Sequence, residues 1–319
     1  MKPHPECLPC VLSQALTVAR QASDDDWSQK KLLTEVMRGL IEANWTRPPA
    51  EIVGEAIETA REALRVTDPM EARRQDAHQL MATRARAFSL QLADAEDPLL
   101  QALTAAAAAN VVDALVLHPD LDILAEFDRA LAAGFAAGDL EAARELLAGS
   151  RQILYLLDNA GEVYFDSILI QQLKKGGATV RTVVRSPGLL HDATLEEAVD
   201  AKLARVVEVE VPADATPTPP ETTPDPDNIP ALMELPPGVH GTSIGRNKAL
   251  KEAVACSDLV IAKGPANFET FAAPHCPVIH VLRVKCLPVA RTLGVEVRDL
   301  VLKVVPRAKP EPAPAPAPE

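Results

Sequence analysis

Four short polar clusters each follow an apolar run, and their residue types suit the handling of a phosphoryl group. They are Asp158-Asn159-Ala160-Gly161-Glu162, Arg185-Ser186-Pro187, His191-Asp192-Ala193-Thr194 and Lys263-Gly264-Pro265-Ala266-Asn267. Asp and Asn offer the oxygen donors that hard divalent cations such as Mg2+ or Mn2+ prefer, and such ions share their coordination with substrate phosphates. Lys and Arg beside the ion supply the remaining positive charge. Asp158 to Gly161 also has a plainer reading, a tight strand-to-helix turn in which Asp or Asn caps the helix. The second acidic turn and the Lys-Gly turn weigh toward a site. No Gly-x-Gly-x-x-Gly follows the first strand and no Gly-Lys-Ser/Thr loop is present, which argues against a dinucleotide or P-loop nucleotide site.

These clusters need a scaffold that brings strand ends together. From Cys7 to about Ala148 the apolar spacing is helical, as in Leu8, Val11, Leu12, Ala15, Leu16 and Ala19. Pro48-Pro49, Asp68-Pro69 and Asp97-Pro98 punctuate that run. The apolar stretch Ala102 to Leu117 contains Asn110 and Asp113 and reads as a buried helix rather than a membrane span. Its Ala-rich part, Leu103 to Val112, reads as close helix packing alone.

Beyond residue 148 the rhythm changes. Ile153 to Leu157, Ala178 to Val184, Leu259 to Ala262 and Val278 to Leu282 read as strands, with a helix at Val163 to Lys174 stopped by Lys175-Gly176-Gly177. Strand, turn, helix, strand is the pattern of a parallel sheet with right-handed crossovers. The expected architecture is a helical region, 1–148, followed by a doubly wound α/β domain, 149–305. Ligands of such sheets bind at the carboxyl ends of the strands, where the polar clusters fall. Nine prolines crowd between Pro212 and Pro237, so residues 211–240 read as a solvated insertion outside the fold. Residues 306–319 read as an extended Pro-Ala tail.

In order, LLDNAGEVYFD (Leu156–Asp166), VVRSPGLLHDATLEEA (Val183–Ala198), SDLVIAKGPANFE (Ser257–Glu269) and VKCLPVA (Val284–Ala290) resemble the signature blocks of the DUF89 family. These are the ARMT-like, metal-dependent damage-control phosphatases. ECLPCVLSQAL (Glu6–Leu16) is similar to the Cys-x-x-Cys start of the family's prokaryotic branch. The resemblance implies a phosphomonoesterase that hydrolyses small phosphorylated metabolites, such as sugar phosphates or damaged cofactor phosphates. It implies a divalent ion (Mn2+, Mg2+, Co2+ or Ni2+) held by Asp158, Asn159 and Asp192. Lys263 and Asn267 match the turn bordering the substrate phosphate, with Glu162 and Arg185 in less defined supporting roles. Asp158, Lys263 and Arg185 are thus the expected catalytic groups; whether Asp158 or a water activated by the metal attacks stays open. The chain departs from the family pattern at His191, at Ala266 and in the loose match of Gly241 to Gly245.

Cys7 and Cys10 lie one helical turn apart, half of a metal site, and Cys286 is the candidate third partner. Packed structural thiols are the plainer account of all three, and Cys256 and Cys276 read as core residues. His191 is the one histidine beside an expected ligand.

The composition sets bounds. The chain has 319 residues, 47% hydrophobic and 24% charged, and a formal charge of −13 that disfavours nucleic acid and anionic membranes. Five cysteines are no disulfide framework, and residues 1–6 show no signal peptide, so a cytoplasmic protein is expected. Oligomeric state is not readable. Two further readings compete: a methyltransferase using S-adenosylmethionine, a label also attached to the family, and a non-catalytic phosphometabolite-binding protein. The first would usually show a Gly-rich loop after the first strand; ligand binding without turnover would favour the second.

Overall fold

The apolar stripes at the start of the chain fold into three packed helices, α1 (Cys7–Ala22), α2 (Asp26–Glu42) and α3 (Pro49–Leu64). Val11, Ala15 and Val18 of α1 meet Leu32, Val36 and Leu40 of α2 and Ile52, Ile57 and Ala60 of α3. Asp25 caps α2 by accepting from the Ser28 amide at 2.8 Å, and the Pro48-Pro49 pair starts α3. The computed structural model describes residues 1–65, 68–118, 120–185, 190–203, 232–235, 247–271, 273 and 276–307.

Next come α4 (Glu71–Leu92) and α5 (Pro98–Ala108), then a 3-10 stretch (Ala109–Val116) and α6 (Ile123–Ala133). Pro98–Val116 is long and apolar enough to cross a membrane by length and composition alone, yet 61% of its most apolar window is buried inside the protein. It packs on the sheet, as the core-helix reading expects.

The sheet contains β1 (Phe135–Gly138), β2 (Gln152–Leu156), β3 (Thr179–Arg185), β4 (Leu232–Leu235), β5 (Leu259–Lys263), β6 (Val278–Arg283) and β7 (Leu300–Val305). Between them run α7 (Leu140–Gly149), α8 (Val163–Lys175), α9 (Leu195–Asp200), α10 (Lys248–Ala255), α11 (Gly264–Thr270) and α12 (Leu287–Leu293). The order across the sheet is β1-β7-β6-β5-β2-β3-β4, and every neighbouring pair is parallel except β6 with β7. Both faces are covered, so the central strands β2, β5 and β6 are buried along nearly their whole length. Ile153 and Tyr155 point toward α5 and α8, while Leu154 and Leu156 point toward α10.

Two expectations change. The helical pattern does not run unbroken to residue 148: Phe135–Gly138 is an edge strand paired with β7. Its Phe-Ala-Ala-Gly sequence carries no alternation from which a strand can be read. The supposed insertion also contributes to the sheet, because Leu232–Leu235 pairs in parallel with β3. The rest of residues 211–240, Gly241 to Gly245, Ser186-Pro187 and residues 308–319 lie outside the described residues.

Chain order places β2 at the turning point. From β2 the chain moves outward to β3 and β4, then returns to β5 on the other flank of β2. The carboxyl ends of β2 and β5 therefore border the crevice where such sheets bind ligands.

Candidate active site

Beyond β2 the backbone continues extended through Asp158 and Asn159 before the 3-10 turn Ala160–Glu162 leads into α8. The segment after β3 comes back alongside it. Asn159 and Asp192 form an antiparallel bridge, the Ala193 amide donates to the Asp158 carbonyl at 2.7 Å, and the Ala160 amide donates to the His191 carbonyl at 2.8 Å. Thr194 and Glu197 form a capping box that fixes the start of α9. Asp192 is thereby brought beside Asp158 and Asn159 from a later part of the chain.

The side chains of Asp158 and Asn159 do not cap a helix. Asp158 Oδ2 accepts from Asn159 Nδ2 at 2.8 Å and from Asn110 Nδ2 at 3.1 Å. Both amides also donate to Glu162 Oε1, each at 2.6 Å. The Asn110 carbonyl oxygen accepts from the Arg283 amide at 3.1 Å, which fixes the orientation of its Nδ2 toward the carboxylates. Asn110 comes from the Ala-rich stretch expected to do packing alone. It is a polar position within an apolar helical run, and that was the one available signal.

Behind this layer stands a sealed ion cluster. Lys263 Nζ lies 2.6 Å from Glu162 Oε2 and 2.9 Å from Asp166 Oδ1, with all three side chains fully buried. Tyr155 Oη donates to the same Asp166 oxygen at 2.7 Å. Burial opposes the Lys263 charge, but Asp166 and Glu162 outweigh it and hold the ammonium above its ordinary range. Burial likewise pushes Asp166 up to about 6 despite Lys263.

Arg185 joins the second half. Its Nη1 reaches Asp192 Oδ1 at 3.1 Å and Asp158 Oδ1 at 3.8 Å, and its Nη2 donates to Asn267 Oδ1 at 2.8 Å. Asn267 Nδ2 donates back to the Lys263 carbonyl at 2.7 Å. Gly264, the first residue of α11, has φ of +75°, and a Cβ there would sit 1.7 Å from Asp158 Oδ2. Only glycine allows this approach.

These residues back a cavity of about 190 Å3 between the strand ends and the first helices. On the sheet side its wall includes Asp158, Asn159, Asp192, Ala266, Glu269 and Lys285. On the helical side it includes Cys7, Cys10, Gln14, Ala50 and Val53. Asp113 also lies on the wall and pairs with Lys285 at 2.9 Å.

The wall sorts the expected residues. Asp158, Asn159 and Asp192 face the cavity. Glu162, Arg185, Lys263 and Asn267 stand behind it: Glu162 and Arg185 bond to groups that do, and Lys263 and Asn267 bond to Glu162 and Arg185 in turn. The motif places Lys263 beside a substrate phosphate, but two carboxylates enclose it; Lys285, half a turn before α12, is the lysine on the wall. His191 is buried rather than solvated, its ring nitrogens meet no partner, and burial lowers its pKa to about 4. Cys7, Cys10 and Cys286 do share the wall, as free thiols. Among the described residues no three His, Cys, Asp or Glu side chains converge to hold a metal. His78 of α4, not singled out by sequence, donates from Nδ1 to the Ala160 carbonyl at 3.0 Å and so braces the turn after Asn159.

A doubly wound α/β protein with carboxylates, an amide and a lysine gathered at its switch point belongs among proteins that handle small anionic ligands at the strand ends. Comparison with known proteins narrows the class. Residues 3–301 match the damage-control phosphatase ARMT1-like domain. A damage-control phosphatase of Archaeoglobus fulgidus is 31% identical over 315 residues, covering 96% of this chain and 100% of its own. A second, from Pyrococcus horikoshii, is 27% identical over 195 residues, 60% of each chain. The crystal structure of a DUF89 family protein from P. horikoshii superposes with a TM-score of 0.75 at 22% identity, over 94% of this chain and 98% of that one. The chain belongs to the ARMT1-like, DUF89 family of damage-control phosphatases, and membership implies a hydrolase with a phosphorylated substrate.

Proposed function

We propose that the cavity hydrolyses phosphomonoesters of small metabolites with a divalent ion held by Asp158, Asn159 and Asp192. The observation that carries this reading is the convergence of those three oxygen-bearing side chains with Lys285 on one small cavity at the switch point. The donor set fits the ion. Burial, then Glu162 and Asp113, push the Asp158 carboxyl well above its usual range, and Arg185 opposes them. Such an excess of buried negative charge suits a cation. Two carboxylates and one amide oxygen suit Mg2+ or Mn2+, and Co2+ or Ni2+ remain compatible.

A bound divalent ion would supply Lewis-acid polarisation of the phosphoryl oxygens. The chain does the remainder. Lys285 presents its ammonium to the phosphoryl group, with Asp113 fixing its position. Asn110 and Asn159 hold Asp158 by one oxygen, leaving Oδ1 directed toward Arg185 and the cavity side. Arg185 spans Asp158 and Asp192 and keeps their spacing. Lys263 neutralises Glu162 and Asp166, which lets Glu162 order both amides.

The test is phosphate release by chelator-stripped protein, with Mn2+, Mg2+, Co2+ or Ni2+ restored singly and Asp158→Ala run alongside. Activity should return with a metal and fall in the variant by more than the ~100-fold typical of losing a supporting residue. Full metal-dependent activity in Asp158→Ala would end this assignment.

A further inference from the structure

The cavity wall carries one carboxyl group for which the reading above has no use. Glu269, in the last turn of α11, is 8% exposed and lines the cavity with Asp158, Asp192 and Lys285. The other buried acids among the described residues are Glu126, Asp158, Glu162, Asp166 and Glu197, and each has an arginine or lysine nitrogen within 4 Å. Glu269 has no such side-chain partner among the described residues. Its Oε2 accepts from the Ala50 amide at 2.9 Å, in the first turn of α3, and among the described residues no other hydrogen bond reaches its carboxyl group.

A buried carboxyl without a counter-charge favours its neutral form. Burial raises Glu269 to about 7, and Asp113 adds to the rise. Lys285, the Ala50 amide and the Met1 amino group, which donates to the Glu269 carbonyl, work against it. Cys7 from α1 and Cys286 before α12 also face it, and burial keeps both thiols protonated, Cys286 with a pKa of about 11. Asp158 is engaged with the ion in the reading above, and among the remaining carboxyls on this wall Glu269 is the one raised to near neutrality, where general acids are most effective.

We infer that Glu269 is the general acid that protonates the leaving oxygen of the ester, an inference that rests on the phosphatase reading. In a cavity of about 190 Å3, an ester seated on Asp158 and Lys285 lies against Glu269 as well. In the overall reaction the bond from phosphorus to the ester oxygen breaks and one from phosphorus to a water oxygen forms. The Glu269 proton goes to the departing alkoxide, and a proton from that water restores the carboxyl group. One ester and one water give one alcohol and one phosphate, with no other reactant.

The substrates this favours are alkyl phosphates, whose alkoxides depart poorly without a proton. Nitrophenolate departs unaided, so p-nitrophenyl phosphate is the control ester. Glu269→Gln keeps an oxygen to accept from Ala50 but carries no acid. With the metal restored, kcat for glycerol phosphate or a hexose phosphate should fall about 100- to 10,000-fold, the usual worth of acid–base catalysis. Turnover of p-nitrophenyl phosphate should stay near the unsubstituted level. The unsubstituted enzyme should also lose alkyl-ester kcat as pH rises through about 7, where the acid form disappears, and the variant should not. Equal losses on both esters, or none on the alkyl ester, would overturn the proposal and leave the phosphatase reading standing. No phosphate from either ester with the unsubstituted enzyme would instead remove the phosphatase reading, and this inference with it.

Discussion

The two walls of the cavity are built differently. On the sheet side Asp158, Asp192, Asp113 and Lys285 each have a charged or side-chain amide partner, and a second bonded layer lies behind them. On the helical side, Val11, Ala50, Val53 and Gly54 are apolar or small, and the polar contacts there include Gln14 Nε2 to Cys10 Sγ at 3.3 Å and the Ala50 amide to Glu269 Oε2 at 2.9 Å. The difference separates two tasks. A tightly cross-bonded wall holds reacting groups within the narrow tolerance that catalysis requires. A weakly bonded, apolar wall shapes whatever hangs from the phosphate and can be altered at small cost.

That division is breakable. The largest effect is expected from Lys263→Met, which strands Glu162 and Asp166 in the interior. Removing one partner of a buried pair costs about 3–5 kcal/mol, so urea denaturation should show a loss of that order. Unchanged stability with lost turnover would mean that the lysine works on substrate instead, and the two-layer picture would fail. Gly264→Ala comes next. Its Cβ collides with Asp158 and its backbone is left-handed, at about 1–2 kcal/mol for the conformation alone. Displacing Asp158 by an ångström should lower kcat about 100-fold, readable by single-turnover assay. The smallest change belongs to the other wall. Val53→Ala should leave stability and kcat nearly intact and raise KM for bulkier esters roughly 4- to 10-fold, from ~0.8 kcal/mol per methylene. A kcat collapse in Val53→Ala would place chemistry on the helical side.

Much of the sheet wall was legible because its residues occupy strand ends, where an apolar run followed by Asp, Asn or Lys-Gly marks a position. The clusters that hold Asp158, Asn159 and Asp192 were marked in that way; their grouping as ligands came from the family resemblance, and all three line the cavity. Lys263 was marked too, but its depth was not: a strand-end lysine reads alike whether it faces a ligand or buried carboxylates such as Glu162 and Asp166. Spacing along the chain does not encode that choice. Asn110, Asp113 and Glu269 were missed because they sit within helical stretches whose neighbours are apolar or small. Their role arises only when α5 and the 3-10 stretch lie over the strand ends. The helical register of α1 to α3 was plain and its Cys7-x-x-Cys10 pair was marked as a possible cluster, yet nothing in it announced that Val53 borders the site.

The pairing of β1 with β7 also bears on how the chain assembles. Phe135 pairs with Leu300, so β1 finds its strand partner only in the last sheet segment of the described chain. During synthesis from the N-terminus, β1 and the elements after it wait with an unpaired edge until β7 has emerged. Such a long-range closure is slow and leaves an open edge that other chains can join. The central strands β2, β3 and β5, which end next to or at Asp158, Arg185 and Lys263, can pair before that moment. The site can therefore begin to form early, while closure of the sheet belongs to the end of synthesis.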